Sequence, residues 1–141
     1  MIDIENDVFD YVAKALRAKH SGVSISGEYT EVPASFPAVT LVEADNRIVG
    51  SFRSCERIEN AVYVMYQLNV FSNKTKLKKE EAKALANTAD AAMEELGFER
   101  DYREQIPNLN DATIYRIVCR YSGMVIPNDD GRYYIYSAQI I

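Results

Sequence analysis

Histidine, cysteine and glycine are scarce in this chain, and tryptophan is missing. Its 141 residues include one His, two Cys, six Gly and four Pro. A structural zinc needs about four N or S ligands, and His20, Cys55 and Cys119 cannot supply them. His20, beside Lys19 at the end of a helical stripe, reads as a surface residue near a helix C-terminus. A glycine-rich phosphate loop, a dinucleotide fingerprint, a nucleophile elbow and a metalloprotease motif are all missing. Cys55 and Cys119 lie far apart, one in a polar stretch and one in an expected strand. They read as reduced thiols in an intracellular protein, with a disulfide as the alternative. Met1 leads into Ile2-Asp3-Ile4-Glu5 with no basic-then-apolar leader, so no secretory signal is expected. No run approaches the roughly 18 apolar residues of a membrane span. The expectation is a cytoplasmic chain that neither enters a membrane nor holds a cofactor or metal.

What is present is an ordinary domain composition: 48% hydrophobic and 26% charged residues. A chain of this length buries roughly 70% of its unfolded surface, so one core can form without disulfides or metal. The whole of 1–141 therefore reads as a single domain. Acidic residues outnumber basic ones 21 to 16, for a net charge of −5. Wholesale nucleic-acid wrapping is excluded, because it needs a basic field to displace phosphate counterions.

Hydrophobic periodicity predicts a helix over 2–19, with Ile4, Val8, Tyr11, Val12, Ala15 and Leu16 on one stripe. Asp3 can cap it, and Gly22 can end the run. A short strand follows at 23–26, then an extended, proline-containing connection over 29–37 and a strand over 38–44. From 45 to 60 the pattern dissolves, and this stretch reads as a long hairpin arm or loop. The segment 61–72 is the strongest strand. One face is apolar (Val62, Val64, Tyr66, Leu68, Val70) and the other is mixed. A second helix is predicted over 77–96, burying Leu77, Leu85, Ala89, Ala92, Met93 and Leu96. Gly97 sits at its left-handed end, and Phe98 folds back on Met93. An irregular strand to Ile106, a long strand over 112–125 and a last strand over 132–137 complete the order. This is an α+β domain, with two helices packed on one face of a mostly antiparallel sheet.

The chemistry-bearing residues point to contact rather than reaction. The acidic pairs Glu80-Glu81 and Glu94-Glu95 read as a solvated helix surface, and 128–131 as a turn without calcium-ligand spacing. Lys74, Lys76, Lys78 and Lys79 crowd a helix start, where the dipole disfavours positive charge. They suit a solvated turn, an acidic protein partner or a phosphate contact. Arg116 and Arg120 share a strand face with Ile114, Val118 and Met124. That mixture fits an interface or an ordinary exposed face. Tyr133, Tyr134 and Tyr136 precede Ile140 and Ile141, an apolar terminus suited to pairing along its own sheet edge or a neighbour's.

Three stretches carry a family resemblance: Ser35-Phe36-Pro37-Ala38-Val39, the strand end 66–74 (YQLNVFSNK), and 106–116 (IPNLNDATIYR) leading to Arg120-Tyr121. With the order of elements, they resemble the tail-terminator or tail-completion proteins of long-tailed bacteriophages, in particular prophage members from Gram-positive bacteria. The resemblance spans Met1 to about Val125. It implies a non-enzymatic virion protein at the head–tail interface, assembled in the host cytoplasm. Such a protein forms a homo-oligomeric ring, usually a hexamer, that caps the tail tube, stops its growth and meets the head connector. DNA would pass only as cargo through the lumen. By this resemblance 45–60 is the candidate arm, with Arg47, Arg53 and Arg57 as contacts; a mobile solvated loop is the alternative. Further candidate partner-binding residues are Lys74, Lys76, Arg116, Arg120, Tyr134 and Tyr136. A head–tail connector or minor capsid protein is the near alternative. A small ligand-binding domain or enzyme without a recognisable motif is the distant one.

Overall fold

A computed structural model describes residues 1–30, 32–49, 61–107, 111–127 and 133–136. Helix α1 spans Glu5–Lys19 and α2 spans Lys78–Leu96. The strands are β1 (Ser24–Ser26), β2 (Ala38–Ile48), β3 (Val62–Ser72), β4 (Glu99–Gln105), β5 (Tyr115–Pro127) and β6 (Tyr133–Tyr136). The sheet runs β1-β2-β3-β5-β4. Among the described residues only the β1–β2 pair is parallel, and every other pair is antiparallel. Met124 and Val125 pair with β3 on one side and with β6 on the other, so β6 lies in line with β4 along the same flank of β5. The fold is α+β, two helices against a mostly antiparallel sheet.

The core explains the periodicities. Val62, Val64, Tyr66, Leu68 and Val70 alternate along β3 and are wholly buried. They meet Val8, Val12 and Leu16 of α1, Leu85, Ala89 and Met93 of α2, and Ile117, Cys119 and Tyr121 of β5. Burying each larger side chain contributes roughly 1.5–3 kcal/mol before entropy is counted. The Tyr66 ring meets the Phe98 ring edge-on at 5.3 Å. At the end of α2, Gly97 has φ 102°, its N–H donates to Glu94 O (2.9 Å), and the Phe98 N–H donates to Met93 O (3.1 Å). This is a Schellman closure with Phe98 as its apolar lock.

Four details depart from the sequence reading. Tyr11 is 41% exposed rather than in the stripe; its hydroxyl donates to Glu95 Oε2 (2.5 Å), tying the two helices on their outer surface. Leu77 stands just ahead of α2 and is also exposed. Strand β2 does not stop at residue 44 but continues through Ile48, with a register shift between Glu43 and Asp45. Periodicity fades there because the bulge breaks the alternation and the far end of the strand is solvated. Residues 45–48 of the expected arm are therefore strand, and 50–60 lie outside the described residues. Finally, β5 begins at Tyr115 and not at 112. Asp111 Oδ1 accepts from the Thr113 N–H (2.9 Å) and hydroxyl (2.6 Å), holding 111–114 in a side-chain-closed turn.

Candidate functional site

Face alternation along β3 and β5 puts Arg116 and Arg120 on the helix-free side of the sheet, beside Asn69 and Gln67 of β3. The Arg116 guanidinium donates twice to Asn69 Oδ1, from Nε (3.1 Å) and from Nη2 (2.8 Å). It also lies 5.7 Å from the Phe71 ring centre and 5.9 Å from that of Tyr29, two cation–π contacts. Arg120 donates from Nη2 to Gln67 Oε1 (2.6 Å). Among the described residues neither guanidinium meets a carboxylate. Two cations thus stand in a row with only neutral amide partners. Among the described residues the same face holds three buried polar atoms without a hydrogen-bond partner: Thr40 Oγ1, Asn69 Nδ2 and Arg120 Nε. All three are sealed from the surface, so what the row offers another protein is the remaining N–H groups of its two half-buried guanidiniums, which an acidic or carbonyl-rich surface would satisfy.

The other expected contacts scatter. Arg47 sits at the exposed end of β2, bonded to Asp45 Oδ2 (3.0 Å). It lines a 330 Å³ hollow on the helix-free face with Tyr63, Met65, Asp101 and Ser122. Arg53 and Arg57 lie outside the described residues, as does Cys55. Lys74 and Lys76 are exposed in the turn before α2. Lys74 Nζ reaches Glu81 at 4.0 Å, and Lys76 takes a left-handed φ of 69°. Lys78 Nζ donates to Thr113 O (3.3 Å), so one member of the cluster ties α2 to the turn before β5. Tyr134 and Tyr136 stand opposite Ile126 and Met124 in the β5–β6 ladder. Residues 133–136 therefore pair with the chain's own sheet, one of the two options the sequence left open; 137–141 lie outside the described residues.

No protein-family model matches this chain, and no curated protein matches it.

Two further groups were not legible in the sequence, because each joins distant segments. Asp3, Glu5 and Glu43 bring carboxylate oxygens within 4.8 Å of one another where the start of α1 meets β2. Burial, and then the charges of Glu5 and Asp3, raise the Glu43 carboxyl above the usual carboxylate range. Tyr66 donates to Glu43 Oε1 (3.4 Å), and burial raises its own hydroxyl strongly. All-oxygen donors of this kind suit hard cations, although exposed acidic groups often cluster without one. The second group is a cleft of about 520 Å³ between α2 and β4, lined by Lys83, Asn87, Arg100, Arg103 and Glu104 among others. Arg103 donates from Nη1 to Asn87 Oδ1 (2.6 Å), and Arg100 pairs with Asp90 at 3.2 Å.

The lone histidine and the described cysteine take structural places. Cys119 is buried, and burial raises its thiol above the ordinary value, which disfavours the reactive thiolate. His20 lies between the helices, with Nε2 2.9 Å from Thr88 Oγ1. The Thr88 hydroxyl donates to Ala84 O (3.1 Å), so in this contact it accepts and His20 Nε2 carries the proton.

Proposed function

We propose that this chain is a structural subunit of a phage particle: a tail terminator whose copies form a ring on the tail tube and face the head connector. The resemblance of 35–39, 66–74 and 106–116 to that family supports the reading. The observation that carries it is the Arg116–Arg120 row, two half-buried guanidiniums held only by neutral amides among the described residues on a helix-free face. Such a surface is arranged to take acceptors from another protein. Specific interfaces favour arginine and aromatic rings, as Arg116 stands beside Phe71 and Tyr29. The sheet flanks suit assembly as well. Among the described residues β1 covers β2 only as far as Thr40, and no strand pairs with the outer edge of β4. In this reading the partners are further copies, the tail tube protein and the connector, and the site of action is the head–tail interface of the virion.

Light scattering followed by negative-stain imaging, with and without purified tail tubes, tests the reading. Rings, or ring formation on tube ends, are expected. A strict monomer that ignores tubes overturns it.

A further inference from the structure

The helix-covered side of the sheet carries opposite charge at its two ends. At the β2 end, Asp3, Glu5 and Glu43 crowd together, and among the described residues no lysine or arginine pairs with any of them. Burial first, and then the charges of Glu5 and Asp3, hold the Glu43 carboxyl above its usual range. At the β4 end, the cleft sets Lys83, Arg100 and Arg103 against one lining carboxylate, Glu104. Among the described residues Arg103 meets the Asn87 amide and no carboxylate, Lys83 is exposed, and Arg100 shares Asp90.

Three strand spacings, about 14 Å, separate β2 from β4. That exceeds the screening length of about 8 Å at physiological salt. The corner and the cleft therefore do little to neutralise each other within one chain. A patch and its complement on opposite flanks of one subunit is the arrangement a head-to-tail contact requires, and such contacts close into rings when the rotation allows.

The geometry points to a heterologous contact between copies, in which the Asp3–Glu5–Glu43 corner of one subunit seats in the Lys83–Arg103 cleft of the next. It rests on the ring-forming reading above and names the surfaces that join its subunits. Carboxylates entering the cleft would meet guanidinium forks, the strongest of the charge-assisted hydrogen bonds. Their attraction would also steer encounter between molecules that otherwise repel through a net charge of −5.

Charge exchange tests it, with light scattering across a concentration series as the readout. Asp3→Lys with Glu5→Lys, and separately Lys83→Glu with Arg103→Glu, should each weaken self-association about tenfold or more. All four together reverse both surfaces and should restore it, as should mixing the two double variants. Circular dichroism confirms folding. If the lysine pair unfolds, Asp3→Asn with Glu5→Gln is measured instead and should weaken association by a smaller factor. Raising salt from about 50 to about 500 mM should weaken wild-type association and leave the double variants little changed. Rings that persist unaltered in the double variants would overturn this contact and leave the ring reading standing. A wild-type chain that stays monomeric even on tail tubes would overturn both.

Discussion

Asn69 is wholly buried, yet among the described residues only one end of its amide is bonded: Oδ1 accepts twice from Arg116 while Nδ2 has no partner. Removing the guanidinium leaves both ends unpaired in a site that water hardly reaches. Arg116→Met should therefore destabilise the fold by about 1–3 kcal/mol in urea titration. Replacing both partners, Arg116→Met with Asn69→Leu, should recover most of that loss, since an apolar pair owes no hydrogen bonds. A double variant no more stable than Arg116→Met would show that the amide is not what holds the arginine. Glu43 gives a pH-dependent counterpart. Its folded carboxyl binds protons more tightly than the unfolded one, because burial, Glu5 and Asp3 all penalise the charge. Stability from this group is therefore fully present below the unfolded value of 4.5 and is lost as pH rises through the higher folded value. Glu43→Gln keeps an acceptor for the Tyr66 hydroxyl and removes the repulsion. It should raise stability at pH 7 by a few tenths to about 1 kcal/mol, discounted for partial exposure, and abolish the fall in stability that this group causes as pH rises above 4.5. A variant less stable than wild type at pH 7 would mean that the charged form is held by a partner.

The two helices and the central strands illustrate which parts of a fold lie open to sequence reading. Helix α2 is legible because its signals are local: the alanine-rich stripe, then Gly97 and Phe98 closing back on Glu94 and Met93. Since Gly97 holds φ 102°, Gly97→Ala should cost about 1–2 kcal/mol through the left-handed strain of a Cβ. Thermal melting reads this directly, and an unchanged midpoint would place the helix end elsewhere. Strand β3 is legible for the same reason, since its period of two is unbroken over 62–68. Strand β2 is legible only as far as its bulge, where the alternation that marks a buried face is lost. The start of β5 misleads because Ala112, Thr113 and Ile114 have strand-like composition, while Asp111 recruits Thr113 into a turn. On the candidate site, the shared face of Arg116 and Arg120 follows from their spacing alone. Their amide partners do not, because Asn69 and Gln67 are placed by the register between β3 and β5. The acidic corner and the basic cleft are likewise products of tertiary pairing, and neither leaves a trace in local pattern.

At the scale of the molecule, the sheet is finished differently on its two flanks, and this bears on the role of the C-terminus. Strand β6 extends the β4 flank by pairing with residues 124–127 of β5, so the aromatic segment 133–136 is already committed within its own chain. Residues 137–141, with Ile140 and Ile141, lie outside the described residues. Deleting 137–141 keeps the β5–β6 ladder and should leave the thermal midpoint unchanged within about 1–2 °C. In a ring-forming subunit the same deletion should weaken self-association, because an aliphatic terminus contributes to contact area through burial at roughly 25 cal/mol per Å². Extending the deletion to Tyr133 removes the ladder as well, and should lower the midpoint by exposing the backbone of residues 124–127. The two truncations together separate the roles. A loss of folded circular-dichroism signal already at 137 would assign the last five residues to the core. Unchanged association at 137, with a lowered midpoint at 133, would confine the terminus to its own sheet and leave assembly to the charged flanks.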